Sequence, residues 1–249
     1  MLRYEEGDEI MSNDMRLSGR CKVNGGEYNH IEMAGYGKIT GEVKANSIDL
    51  AGYTKALKNI NVSYLSTAGK FKVAGNIRSK EEIITAGTFK ALKNIEGKRI
   101  FLGGSFKCLG DMAFDFLDIK GNIKCNGNCE GRKVLGEGRI RIGGLLSADE
   151  IEIKLSGTSI INEIGGEKIK IEEGNKQNIK IGALKYKQKA LLNCKSIEGD
   201  YITLQNTNAK IVRGKNITIG KNCIIDKVEY SGELKVKEGC LIKERVKIY

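Results

Sequence analysis

A glycine returns along this chain at an almost constant interval: Gly35, Gly52, Gly69, Gly87, Gly104, Gly121 and Gly138 follow one another at steps of 17, 17, 18, 17, 17 and 17 residues. Other columns keep the same beat. Four positions before each glycine stand Ile31, Ile48, Leu65, Ile83, Ile100, Leu117 and Val134; eight positions after it stand Val43, Ile60, Ile77, Ile95, Met112, Cys129 and Leu146. The decapeptides AGYTKALKNI (51–60) and AGTFKALKNI (86–95) share eight of ten letters, with AGKFKVAGNI (68–77) between them. Helical repeats need about 30 residues or more per unit. A shorter unit of alternating apolar and polar residues, punctuated by glycine, accommodates three short strands and their bends instead. Stacked as coils about 4.8 Å apart, such units form an all-β solenoid, a parallel β-helix in which equivalent residues sit above one another.

Composition agrees. The 249 residues include 32 glycines and no proline, where about a dozen prolines would be ordinary. Proline has no N–H to give to a ladder and is confined to sheet edges, so a chain made of continuous sheet excludes it.

The columns predict a core. Phe71, Phe89 and Phe106 stack on consecutive coils and give way to Ile123 and Ile140; Ile39, Ala56, Val73, Ala91, Cys108, Cys125 and Ile142 form a second inward column. Asn59, Asn76, Asn94 and Asn128, with Asp111 in line, form a ladder at a bend, where the short amide tolerates a left-handed backbone and bonds along the stack. Residues 1–15 read as a flexible tail and 16–171 as the main stack. Residues 172–196 read as an irregular insertion with a short helix at 183–192, and 197–249 as further coils. In that last part ITIGKNCII (217–225) aligns with LKVKEGCLI (234–242), again 17 apart.

The net charge is +11, which points to acidic partners. Three positions after each glycine stands a cation: Lys38, Lys55, Lys72, Lys90, Lys107, Lys124 and Arg141, with Lys22 as an eighth. Lying between two inward columns, these side chains must point outward. One reading is defensive, in that lysine on a regular sheet face prevents lateral stacking and keeps the rod soluble. The other is a strip that binds a polyanion: an anionic membrane surface, an acidic protein or a nucleic acid. Nucleic acid is the weakest match, because no platform for base stacking is evident.

Convergent catalytic groups are lacking. His30 is the only histidine, so a triad or a histidine-ligated metal would rest on one residue near a bend. Cys125 and Cys129 fall in inward columns and read as small buried hydrophobes, as do Cys223 and Cys240. Hexapeptide-repeat acyltransferases keep a six-residue beat that is absent here, and the carboxylates are scattered where a polysaccharide-cleaving groove would cluster them. No cofactor, metal or small-molecule substrate is expected. Seven cysteines without a disulfide spacing, and a start (MLRYEEGDEIMSNDMR) without an apolar core, read as a reduced, cytoplasmic protein.

Taken together, the 17-residue coils with AGxxK and GNI, then EIGGEKIKI (163–171), SIEGDYITLQNTNAKIVRGKNITIGKNCIID (196–226) and VEY (228–230), resemble the bactofilin family of polymer-forming cytoskeletal proteins, in its longer Firmicute form. The resemblance covers most of residues 16–248. It implies a right-handed parallel β-helix that polymerises end to end without nucleotide into filaments serving cell shape, wall synthesis, localisation or motility. A short membrane-targeting N-terminus occurs in parts of that family; MLRY could be its remnant, with EEGDE behind it opposing tight binding to anionic lipid. Physical reasoning runs alongside: an end coil exposes unpaired strand edges and an apolar cross-section, whose natural complement is another coil end. Leu17, Cys21 and Val23 at one end and Val246 and Ile248 at the other are the expected contacts.

Overall fold

The structure, a computed structural model, describes residues 13–174 and 190–248, together with the backbone of 178–181 and 184–187. Seven long strands open the chain: β1 (Asp14–Val23), β2 (Gly26–Ile39), β3 (Val43–Ala56), β4 (Ile60–Val73), β5 (Ile77–Ala91), β6 (Ile95–Cys108) and β7 (Met112–Cys125). Each runs round most of a coil and pairs in parallel with the next, glycine over glycine, as in Gly35 with Gly52 and Gly52 with Gly69. The stack continues through β8 (Cys129–Leu155), β9 (Thr158–Gly165) and β10 (Lys168–Glu173). A hairpin of β11 (Asn178–Ile181) and β12 (Leu184–Lys187) is followed by β13 (Leu191–Leu204), β14 (Thr207–Ile219), β15 (Ile224–Tyr230), β16 (Leu234–Val236) and β17 (Leu241–Lys247). Apart from the hairpin, all belong to one 15-stranded sheet wound as a parallel β-helix.

The winding is legible in the burial of a single coil. In β4 the buried residues are Ile60, Val62, Leu65, Thr67, Phe71 and Val73. Strict alternation is interrupted at Ser63-Tyr64 and again at Ala68-Gly69-Lys70, and those interruptions are the corners between three walls. The 18-residue step is absorbed at one of them, where the register shifts between Ser79 and Glu82. At the glycine corner φ is +109° in Gly69 and +106° in Gly87, a region that a Cβ makes costly. Space forbids one as well: a Cβ on Gly87 would lie 2.3 Å from the Gly69 carbonyl oxygen.

The core is one unbroken column of buried side chains from Val23 to Val228. Phe71 meets Phe89 edge-on at 5.2 Å between ring centroids, and Phe89 stacks on Phe106 at 5.0 Å. The asparagine ladder runs beside it. Each side-chain oxygen accepts the backbone N–H one coil on, from Asn59 Oδ1 with Asn76 N (3.0 Å), through Asn76, Asn94 and Asp111, to Asn128 Oδ1 with Leu145 N (3.0 Å).

Four expectations need correction. The ladder asparagines are not left-handed: among the described non-glycine residues positive φ occurs at Asn206 and Asn222, because the ladder works by accepting from the next coil and needs no reversal of its own backbone. The helix expected at 183–192 is absent, since 184–187 is a strand antiparallel to 178–181 and Leu191 starts another. NIKI and LKYK alternate with period two around Gly182-Ala183, which suits a hairpin. The insertion is also narrower than 172–196. β13 pairs with both β9 and β10 and Leu192 is fully buried, so the stack carries on above and below the hairpin without a break. Finally, Asp14 and Met15 of the expected tail are already in β1; residues 1–12, MLRY included, lie outside the described residues.

Candidate functional site: a cationic wall and two coil ends

Backbone register puts the eight basic residues in one file. Lys22 stands opposite Lys38, Lys38 opposite Lys55, and so on through Lys72, Lys90, Lys107 and Lys124 to Arg141. Ile160 follows opposite Arg141 and ends the file. On one side lies the column Arg20, Tyr36, Tyr53, Lys70, Thr88, Ser105, Asn122 and Arg139. Tyr36 and Tyr53 stack at 5.0 Å, with Arg20 over the first ring at 5.9 Å and Lys70 over the second at 5.4 Å.

On the other side the chain turns the corner through Leu57, Ala74, Leu92 and Leu109. Each donates its N–H to the coil below, as in Leu57 N to Ile39 O (2.9 Å) and Leu92 N to Val73 O (3.0 Å). That stacking fixes their side chains in a half-buried apolar ridge. Lys58 and Lys93 stand exposed beyond it. Among the described residues, none of these cations, from file, flanking column or far side of the ridge, has a carboxylate oxygen within 4.0 Å.

Charge is handled differently on the other walls. There pairs link neighbouring coils: Lys44 with Glu27 (3.3 Å), Arg78 with Glu96 (3.2 Å), Arg99 with Glu82 (3.2 Å), Arg132 with Asp115 (3.1 Å) and Lys133 with Glu150 (2.8 Å). Glu150 also meets Lys168 at 3.5 Å. The hydrogen bond and charge of Lys133, and then Lys168, hold the Glu150 carboxyl below its usual range. A groove of about 810 Å³ lies over Ala45, Val62 and Phe114; Lys44, Arg78, Glu96, Lys98 and Asp115 on its rim are ion-paired. The chain's positive excess, +11, is therefore concentrated on the unpaired wall.

His30 Nδ1 lies 2.7 Å from Ser47 Oγ and 3.9 Å from Asp49 on a half-exposed strand face. Cys108, Cys125 and Cys129 are buried together at a corner; the neighbouring Cys125 sulfur and burial push the Cys108 thiol up, and burial pushes Cys194 up to about 12. Among the described residues no group of three His, Cys, Asp or Glu is placed to hold a metal. No described helix is long and apolar enough to cross a membrane.

The ends differ from expectation in detail. At the N-terminal end Met15, Leu17 and Cys21 are half-buried residues of a strand that, among the described residues, is paired on one side, whereas Val23 is fully buried and offers no surface. At the other end the inward residues of the last coil are Leu234, Val236, Cys240 and Ile242. Val246 follows Glu198, Arg213 and Glu229 in an outward column, and Ile248, one residue after the Tyr230–Lys247 pair, is exposed at 45%. The core column Ile164, Ile197, Val212, Val228 ends in Arg245. Extending the 17-residue alignment from 242 to 245 would have revealed that arginine from sequence; likewise KALK, written twice, carries the leucine ridge.

Two proteins of Bacillus subtilis (strain 168) are similar to part of the chain. Uncharacterized protein YhbE is 42% identical over 94 residues, 37% of this chain and 38% of its own length. Uncharacterized protein YhbF is 35% identical over 106 residues, 42% of each. The matched stretch thus spans well under half of either relative. No family model and no solved structure matches the chain.

Proposed function

We propose that this chain is a non-enzymatic structural protein that associates with copies of itself through its coil ends, building nucleotide-independent filaments or shorter cytoskeletal scaffolds. The observation that carries this reading is that, among the described residues, the first and last coils each leave a strand edge unpaired beside half-buried core residues: Met15, Leu17 and Cys21 at one end, Leu234, Val236, Cys240 and Ile242 at the other. A parallel edge is a template for another strand, and a second coil satisfies both its hydrogen bonds and its apolar surface. The bactofilin-like repeats support the same reading. Arg245, standing where the core column would continue, limits indiscriminate stacking, as inward-pointing charges do on other sheet edges.

Register sharpens the test. Leu234→Lys with Ile242→Lys places charge on the end face and abolishes assembly, as judged by electron microscopy and sedimentation, with the β circular-dichroism spectrum retained. Val246→Lys with Ile248→Lys, on outward or exposed positions, has a smaller effect. Undiminished assembly of the first variant would refute the C-terminal contact.

A further inference from the structure

We infer that the cationic wall is a docking face for an anionic lipid bilayer. This goes beyond self-association and does not depend on it.

Three features of the wall fit a membrane better than another polyanion. The first is shape: seven steps of about 4.8 Å make a straight row about 34 Å long on one sheet face. A plane of headgroups meets such a row along its whole length, whereas a duplex backbone winds away from it. The second is the leucine ridge. Leu57, Ala74, Leu92 and Leu109 are half-buried and stand between Lys55, Lys72, Lys90 and Lys107 on one side and Lys58 and Lys93 on the other. Apolar residues that enter the headgroup boundary between cations that meet phosphates form the pattern of an interfacial segment, here built on a strand corner instead of a helix. A nucleic acid gives such a ridge nothing to contact. The third is the stacked pair Tyr36 and Tyr53, with Tyr36 55% exposed, an amphipathic aromatic of the kind found at headgroup level. Because no described carboxylate lies within ion-pair distance of the wall, binding requires no existing pair to break.

Co-sedimentation with vesicles tests the assignment. The full chain binds phosphatidylcholine vesicles when roughly a third of the lipid is phosphatidylserine, and not pure phosphatidylcholine. Raising salt from about 0.1 M to 1 M, which shortens the Debye length from about 10 Å to 3 Å, releases it. Replacing Lys55, Lys72, Lys90 and Lys107 together by Gln weakens binding on the order of 100-fold or more; replacing the same four by Arg preserves it, which separates loss of charge from loss of fold. Leu57→Ser with Leu92→Ser and Leu109→Ser weakens it about 10-fold while the salt dependence is kept. Equal vesicle binding by wild type and the Gln variant would overturn the proposal. So would tighter binding of a DNA duplex than of anionic vesicles, unaffected by the Leu→Ser changes. Imaging the wild-type chain keeps the two proposals apart: a chain that assembles without binding anionic vesicles overturns the docking face alone, and one that binds them without assembling overturns the scaffold alone.

Discussion

On the wall that carries Glu82, Arg99, Lys133 and Glu150, opposite charges face each other across neighbouring coils; on the wall that carries Lys55, Lys72, Lys90 and Lys107, one sign repeats without a partner. The same backbone imposes the same spacing on both. Like charges about 5 Å apart repel by roughly 1 kcal/mol in water before screening, so the cationic file sets a standing cost against the fold. What offsets it lies beneath the surface: the buried core and the parallel ladder are continuous under both walls, and the Asn oxygen ladder runs along one corner. Surface charge on this solenoid is thus free to differ between walls, and under the docking proposal the unpaired file serves contact, not folding.

If the frame beneath the file supplies the stability, breaking it must have the largest effect. Gly87→Ala puts a Cβ against the Gly69 carbonyl oxygen at a positive φ and is expected to cost about 3 kcal/mol or more, seen in the denaturant midpoint. Gly19→Ala, also at positive φ but with nothing within 4 Å of the added carbon, costs only about 1–2 kcal/mol. Asn94→Ala is next. It leaves the Asp111 N–H without its acceptor, at about 1–2 kcal/mol.

Changing the file itself should move stability the other way. The Gln replacements at Lys55, Lys72, Lys90 and Lys107 relieve repulsion and raise stability by up to about 1 kcal/mol at low salt, a gain that shrinks as salt is added. A clear loss of stability would mean that the file has partners within the fold. Acid should distinguish the walls with the smallest effect. Glu150 and Glu229 are held below the usual value of 4.5 by Lys133 and Lys168, and by Arg213 and Lys227. Their contribution is present above the unfolded carboxyl range and is lost as pH falls through their lowered folded values. Melting temperature is therefore expected to fall modestly below about pH 4.5.

Most of the fold was written in the sequence, because a solenoid converts period directly into contact: Lys72 and Lys90 are neighbours since they share a column. Where the period held, the core, the Phe stack and the basic file could all be placed. Where it lapsed, reading failed for definite reasons. The segment at 183–192 belongs to no repeating column, so the period that places the other strands does not reach it. The C-terminal end was assigned from the apolar letters of ERVKIY, although which of those letters faces inward depends on a register fixed by Val228 and Arg245. The leucine ridge was overlooked because a corner residue belongs to neither the inward nor the outward alternation.

The most direct measurement is negative-stain electron microscopy of the purified chain, without nucleotide, at low and moderate salt. Rods or filaments elongated along the coil axis, reduced to single particles by Leu234→Lys with Ile242→Lys, are the predicted result. Dispersed particles of single-chain size in the wild type under both conditions would contradict it.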